Sequence, residues 1–113
     1  MSNEQLEQIE ISIEQAQEAV ALKRALNNLL KNKDFESIIS IGYFEKEASR
    51  LVLLKADASM AKDSDQNLIL KSIDSIGFLR QYFTTIMQLG RMAERSIEED
   101  QLTREELLAE GLH

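Results

Sequence analysis

An all-α fold built from long helices is what this sequence predicts, and three observations carry it. The 113 residues include no proline, so nothing forces a helix to break. Apolar residues recur at three- and four-residue spacing along most of the chain, which places them on one face of a helix. No β pattern competes with that helical spacing over the length of the chain. The expected architecture is three main helices, at about 3–31, 35–56 and 65–100, with a short C-terminal helix at 104–110. They form one helical domain spanning 1–113, a bundle that assembles as a homo-oligomer.

The first helix opens on Ser2-Asn3-Glu4-Gln5, which fits a capping box with Ser2 as N-cap and Gln5 reaching back. Leu6, Ile9, Ile13, Ala16 and Val20 follow at alternating three- and four-residue steps, and the stripe then drifts to Leu22, Leu26, Leu29 and Leu30. Glutamates load its start, and Lys23, Arg24, Lys31 and Lys33 load its end, which suits the helix dipole. Asn32-Lys33-Asp34 reads as a break, with Asp34 as N-cap of the second helix. The apolar residues of that helix are Phe35, Ile38, Ile41, Phe44, Ala48, Leu51 and Val52. Residues 56–65 are small and polar, a loop with room for a short helical turn.

The third helix holds Ile76, Leu79, Phe83, Ile86, Gly90, Ala93 and Ile97 in strict heptad spacing, the pattern of a coiled-coil seam with another helix. Gly90 and Ala93 narrow that seam and allow close approach. Gly42 and Gly77, in the similar strings Ser40-Ile41-Gly42-Tyr43-Phe44 and Ser75-Ile76-Gly77-Phe78-Leu79, mark a second expected crossing. Thr103-Arg104-Glu105-Glu106 reads as a capping box starting the last helix, which ends at Gly111. A first helix about 40 Å long exceeds the ~13 Å radius of gyration of a compact domain this size, so its partner is expected in another copy.

Composition narrows the function. With no cysteine there is neither a disulfide framework nor a thiol nucleophile. His113 is the one histidine and stands last, a poor position for a base or a metal ligand. No phosphate-loop motif occurs, and the two Glu-x-x-His motifs of a di-iron bundle are not present in a chain with one histidine. The expectation is a protein that binds and does not cleave, with no catalytic residue, no metal and no cofactor. The first residues are polar and acidic and the apolar runs are short, which predicts no membrane contact and a cytoplasmic setting.

The net charge of −7 argues against duplex nucleic acid as a partner. It is unevenly placed: residues 1–19 carry −5, residues 94–113 carry −5, and residues 20–93 between them carry +3. On that basic centre Tyr43, Lys46 and Arg50 fall within about 60° of one another on an ideal helix. Arg80, Thr84, Gln88, Arg91 and Arg95 form a second stripe beside the apolar seam. Guanidinium groups next to an aromatic ring suit a small, planar, anionic ligand: the ring stacks on a base while the arginines fork phosphates. The competing role for the same residues is ion pairing with Glu47, Glu94 or Glu98. The candidate ligand residues are therefore Tyr43, Lys46, Arg50, Arg80, Arg91 and Arg95.

The strings Gly42-Tyr43-Phe44, Arg50-Leu51-Val52-Leu53-Leu54-Lys55 and Ile76-Gly77-Phe78-Leu79-Arg80-Gln81-Tyr82-Phe83 resemble a group of small helical proteins of tailed bacteriophages, over about residues 20–95. The resemblance implies a phage source and a host-cell cytoplasmic setting, and it implies no activity. In that setting the expected function is sequestration of a host immune signalling nucleotide, such as a cyclic nucleotide, to counter antiviral defence. This is an analogy of physical type to phage nucleotide sponges. The alternatives are a virion assembly, scaffolding or accessory coiled-coil protein, and a binder of a host protein.

Overall fold

The computed structural model describes the backbone of residues 2–111 and the side chains of residues 3–111. The proposed Ser2 cap and His113 lie outside the described side chains. The chain is all-α: helix α1 (Ser2–Lys31), a short α2 (Lys33–Phe35), a π-helical segment (Glu36–Glu47), α3 (Ala48–Lys55), a 3-10 turn (Ala58–Met60) and a long α4 (Asp63–Gly111). It divides into two compact units. A terminal unit comprises Met1–Leu26 and Thr85–His113, and a central unit comprises Asn27–Thr84.

The terminal unit pairs α1 with the C-terminal part of α4. Ser12 Oγ donates to Asp100 Oδ2 at 2.8 Å, and Lys23 Nζ meets Glu94 Oε1 at 2.8 Å. Rising numbers on one helix meet falling numbers on the other, so the two run antiparallel. Ile13, Val20 and Leu26 from α1 are buried, as are Ile86 and Ala93 from α4. The seam read from the sequence is therefore real, and from Ile86 to Ala93 the chain fills it with its own first helix. Gly90 does what the heptad spacing predicted: a Cβ there would lie 2.4 Å from Lys23 Cβ, so the missing side chain makes room for the lysine stem.

The central unit folds α2, the π segment and α3 back against the first part of α4. Its core is Leu51, Ile69 and Ile76, with Tyr43, Phe44, Ala48, Leu54, Met60 and Ile73 packed around it. Phe83 meets Phe44 edge-on at 5.7 Å and Phe35 at 6.1 Å between ring centroids. The turn is held by polar groups. Gln66 Nε2 donates to the carbonyls of Lys55 and Met60, and Asp57 accepts from the backbone N–H and the hydroxyl of Ser59. Those two bonds to Ser59, the hydroxyl first, hold the Asp57 carboxyl below its usual range.

Four sequence expectations are corrected. Asn32, not Asp34, caps the helix after the break: its side chain accepts from Phe35 N at 3.0 Å. The helix over 104–110 is not separate, because α4 runs unbroken to Gly111. The capping box at Thr103 is absent: its hydroxyl instead donates to the carbonyl of Glu99 one turn back, a bond available inside a continuous helix. The Gly42–Gly77 crossing does not form. A Cβ on Gly77 would meet nothing within 4 Å, and the close neighbour of Gly42 is the carbonyl oxygen of Ser37 in its own helix.

A fifth correction concerns the winding of residues 36–47. An α-helix would line up Ile38, Ile41 and Phe44; the observed segment is π-helical, with wider i to i+5 steps. The inward positions become Phe35, Ile39, Tyr43, Phe44 and Ala48, all half-buried, while Ile38 is 68 % and Ile41 36 % exposed. Gly42 permits this winding, since a Cβ would sit 2.6 Å from the Ser37 oxygen. Gly42→Ala is expected to destabilise the protein by about 1–3 kcal/mol through that overlap. Gly77→Ala, in open space on a regular helix, is expected to stabilise it by about 0.5–1 kcal/mol. Urea denaturation of the two variants should move the midpoint in opposite directions.

Candidate functional site

The six residues singled out from the sequence divide between the units. Tyr43, Lys46, Arg50 and Arg80 belong to the central unit, and Arg91 and Arg95 to the terminal unit.

In the central unit Tyr43 and Arg50 do come together. With Glu47, Leu51, Ser72 and Ser75 they line a depression of about 260 Å³. Several of its polar groups have partners within the chain. Arg50 Nε pairs with Glu47 Oε1, Ser72 Oγ donates to Leu68 O at 2.9 Å, and Ser75 Oγ donates to Lys71 O at 2.8 Å. Tyr43 packs against the core with its ring 6.0 Å from that of Phe44. The volume is below the roughly 300–1,000 Å³ of small-molecule sites. Ion pairing and core packing account for the placement of this pair. Lys46 is exposed on the π segment, and Arg80 is exposed on α4; neither lines this depression.

The terminal unit holds the larger concavity, an open groove of about 590 Å³ between α1 and α4. Arg91 and Arg95 stand on α4, one turn apart, and Arg24 joins them from α1. Val20 and Ile97 supply its apolar lining, and Gln101 an amide. Glu94 and Glu98 are the opposing charges. Lys23 takes Glu94, at 2.8 Å with the lysine side chain only 17 % exposed, which leaves three guanidiniums against one uncommitted carboxylate. Arg91 is steered by its own helix, where Nε donates to Met87 O at 3.3 Å, so the two terminal nitrogens remain for a ligand.

Arg24 is the residue that sequence reading missed. Within the chain it is one of several bases closing the first helix. Its relation to Arg91 and Arg95 exists only once the antiparallel register of α1 and α4 is set. Among the described residues no three acidic or histidine side chains converge as metal ligands, and no helix is long and apolar enough to cross a membrane.

Fold and groove together define a helical protein of paired antiparallel segments with a basic groove on its terminal unit. No family, no curated protein and no solved structure matches the chain.

Proposed function

We propose that the protein is a non-catalytic binder that captures a small phosphate-bearing ligand of nucleotide type in the groove of the terminal unit. The observation that carries this is the convergence of Arg24, Arg91 and Arg95 from two helices on one concavity of about 590 Å³. Guanidiniums in a fork geometry recognise phosphate oxygens bidentately, and Val20 and Ile97 offer an apolar lining for a base. Taken with the resemblance to small tailed-bacteriophage proteins, the ligand class is a host immune signalling nucleotide, held and withdrawn from its receptor. The groove revises the ligand set from the sequence: Arg91 and Arg95 stay, Arg24 joins them, and Tyr43, Lys46, Arg50 and Arg80 have no part in it.

Calorimetric titration with cyclic di- and trinucleotides and cyclic ADP-ribose isomers tests the assignment. At least one is expected to bind below about 10 μM, roughly −7 kcal/mol. Arg24→Ala and Arg95→Ala should each weaken it at least tenfold, since a charge-assisted hydrogen bond contributes about 1.5–3 kcal/mol. Tyr43→Phe should leave it unchanged. Absence of binding across the panel refutes the proposal.

A second reading, virion assembly or scaffolding, is favoured by one observation. Among the described residues sixteen large apolar side chains are exposed, against eight hydrophobic residues buried. Detection of the protein in purified virions would support it.

A further inference from the structure

We propose that the central unit pairs with a second copy of itself through the outer face of α3, around Val52 and Leu53. This goes beyond the ligand assignment and does not depend on it.

The run Arg50-Leu51-Val52-Leu53-Leu54-Lys55 is apolar on both sides of its helix. Leu51 and Leu54 turn inward, where Leu51 is 4 % exposed in the core. Val52 and Leu53 turn outward and are 59 % and 74 % exposed. With Ala48 and Ser49 they line a shallow dent of about 400 Å³. The core of the unit therefore uses one face of α3 and leaves an equally apolar face in water.

Net charge separates the two units as faces on which copies of the chain could meet. The central unit, Asn27–Thr84, carries eight bases and eight acids, a net charge of zero. The terminal unit carries five bases and twelve acids, which accounts for the whole −7. The +3 of residues 20–93 does not coincide with a structural unit, because Lys23, Arg24 and Arg91 fall in the terminal one. Two copies meeting through their terminal units would bring like charge together; two copies meeting through their central units would not. Apolar exposure follows the same division. Ten of the sixteen exposed large hydrophobics lie in the central unit, Ile38 and Ile41 among them, turned out by the π winding. A stable interface buries about 800 Å² per partner, more than two side chains supply, so the proposed pairing requires some of these further residues to join it. A second copy offers the same patch, as a two-fold interface requires.

Sedimentation equilibrium of the full chain tests this. A dimer is expected at about 100 μM, and it should persist in ~1 M sodium chloride because apolar contacts are not screened. The double variant Val52→Glu/Leu53→Glu should be monomeric with unchanged helical circular dichroism. The milder Val52→Ala/Leu53→Ala should raise the dissociation constant at least tenfold. Leu102→Glu, an exposed site of the terminal unit, should leave the dimer intact. A monomeric mass for the native chain overturns the proposal. So does a dimer that survives the glutamate pair, or one that Leu102→Glu abolishes. Ligand titration of the monomeric variant keeps the two proposals separate, since the groove lies in the other unit.

Discussion

Leu51→Ala is expected to lower the stability of the protein by about 2–5 kcal/mol. Leu51 is 4 % exposed and sits with Ile69 and Ile76 in the core of the central unit. Truncation removes the transfer free energy of three carbons and leaves a cavity whose walls, on two helices, cannot fully close. That core has only three buried residues, and total stabilities of domains this size are about 5–15 kcal/mol, so the loss is a large fraction of the whole. Urea denaturation should show the midpoint falling with little change in slope, and Tm should drop by roughly 10 °C or more. Leu68→Ala, at a side chain 63 % exposed on α4, should stay within about 0.5 kcal/mol. Equal effects at the two sites would mean that the inward and outward faces have been misassigned.

Gly90→Ala is the second large effect, at the pairing of α1 with α4. The added Cβ would lie 2.4, 2.7 and 2.9 Å from Lys23 Cβ, Cδ and Cγ. The nearest of these is fixed to the backbone of α1, so relief requires the helices to move apart and not merely a new lysine rotamer. Overpacking of this kind costs about 1–3 kcal/mol, against a gain of about 1 kcal/mol from replacing glycine in a helix. A net loss of up to about 2 kcal/mol is expected, together with loosening of the Lys23–Glu94 pair. Adding Lys23→Gly transfers the missing side chain to the other helix. The double variant should then be more stable than the sum of the two single effects, and a thermodynamic cycle that comes out additive would place the contact elsewhere.

Gly90 and Gly42 show what spacing can and cannot reveal. At Gly90 the heptad Ile86, Gly90, Ala93, Ile97 was legible, because a seam leaves a periodic signature in any helix that uses it. The identity of the partner was not legible: both an intramolecular α1 and a second copy satisfy the same stripe. At Gly42 the apolar residues Ile38, Ile41 and Phe44 fit an α-helix by period. Their neighbours Phe35, Ile39 and Tyr43 fit a π-helix equally well, and packing against α4 decided between them. Thr103 shows the same limit in another form, since a hydroxyl followed by acids suits both a cap and a helix interior. The difference rests on whether the carbonyl of Glu99 is already in a continuous helix.

The candidate site was legible by residue type and not by grouping. Arginines near aromatic and apolar faces could be picked from the chain, but two of them share a groove only with Arg24, which local spacing left among the dipole-matching bases of α1. Arg50 met the ion-pair alternative instead, through Glu47 three residues before it.

By itself the sequence determined the helical class, the three main helical stretches, the seam along α4 and the break near residue 32. Each of these depends on contacts within about one turn, or on a period that one helix carries alone. The tertiary structure decided which helix fills the seam, how residues 36–47 wind, which apolar residues stay in water, and which arginines face one another. Those properties depend on the register between segments far apart in sequence. Register is set by the best joint packing of two surfaces, a quantity that neither surface holds alone.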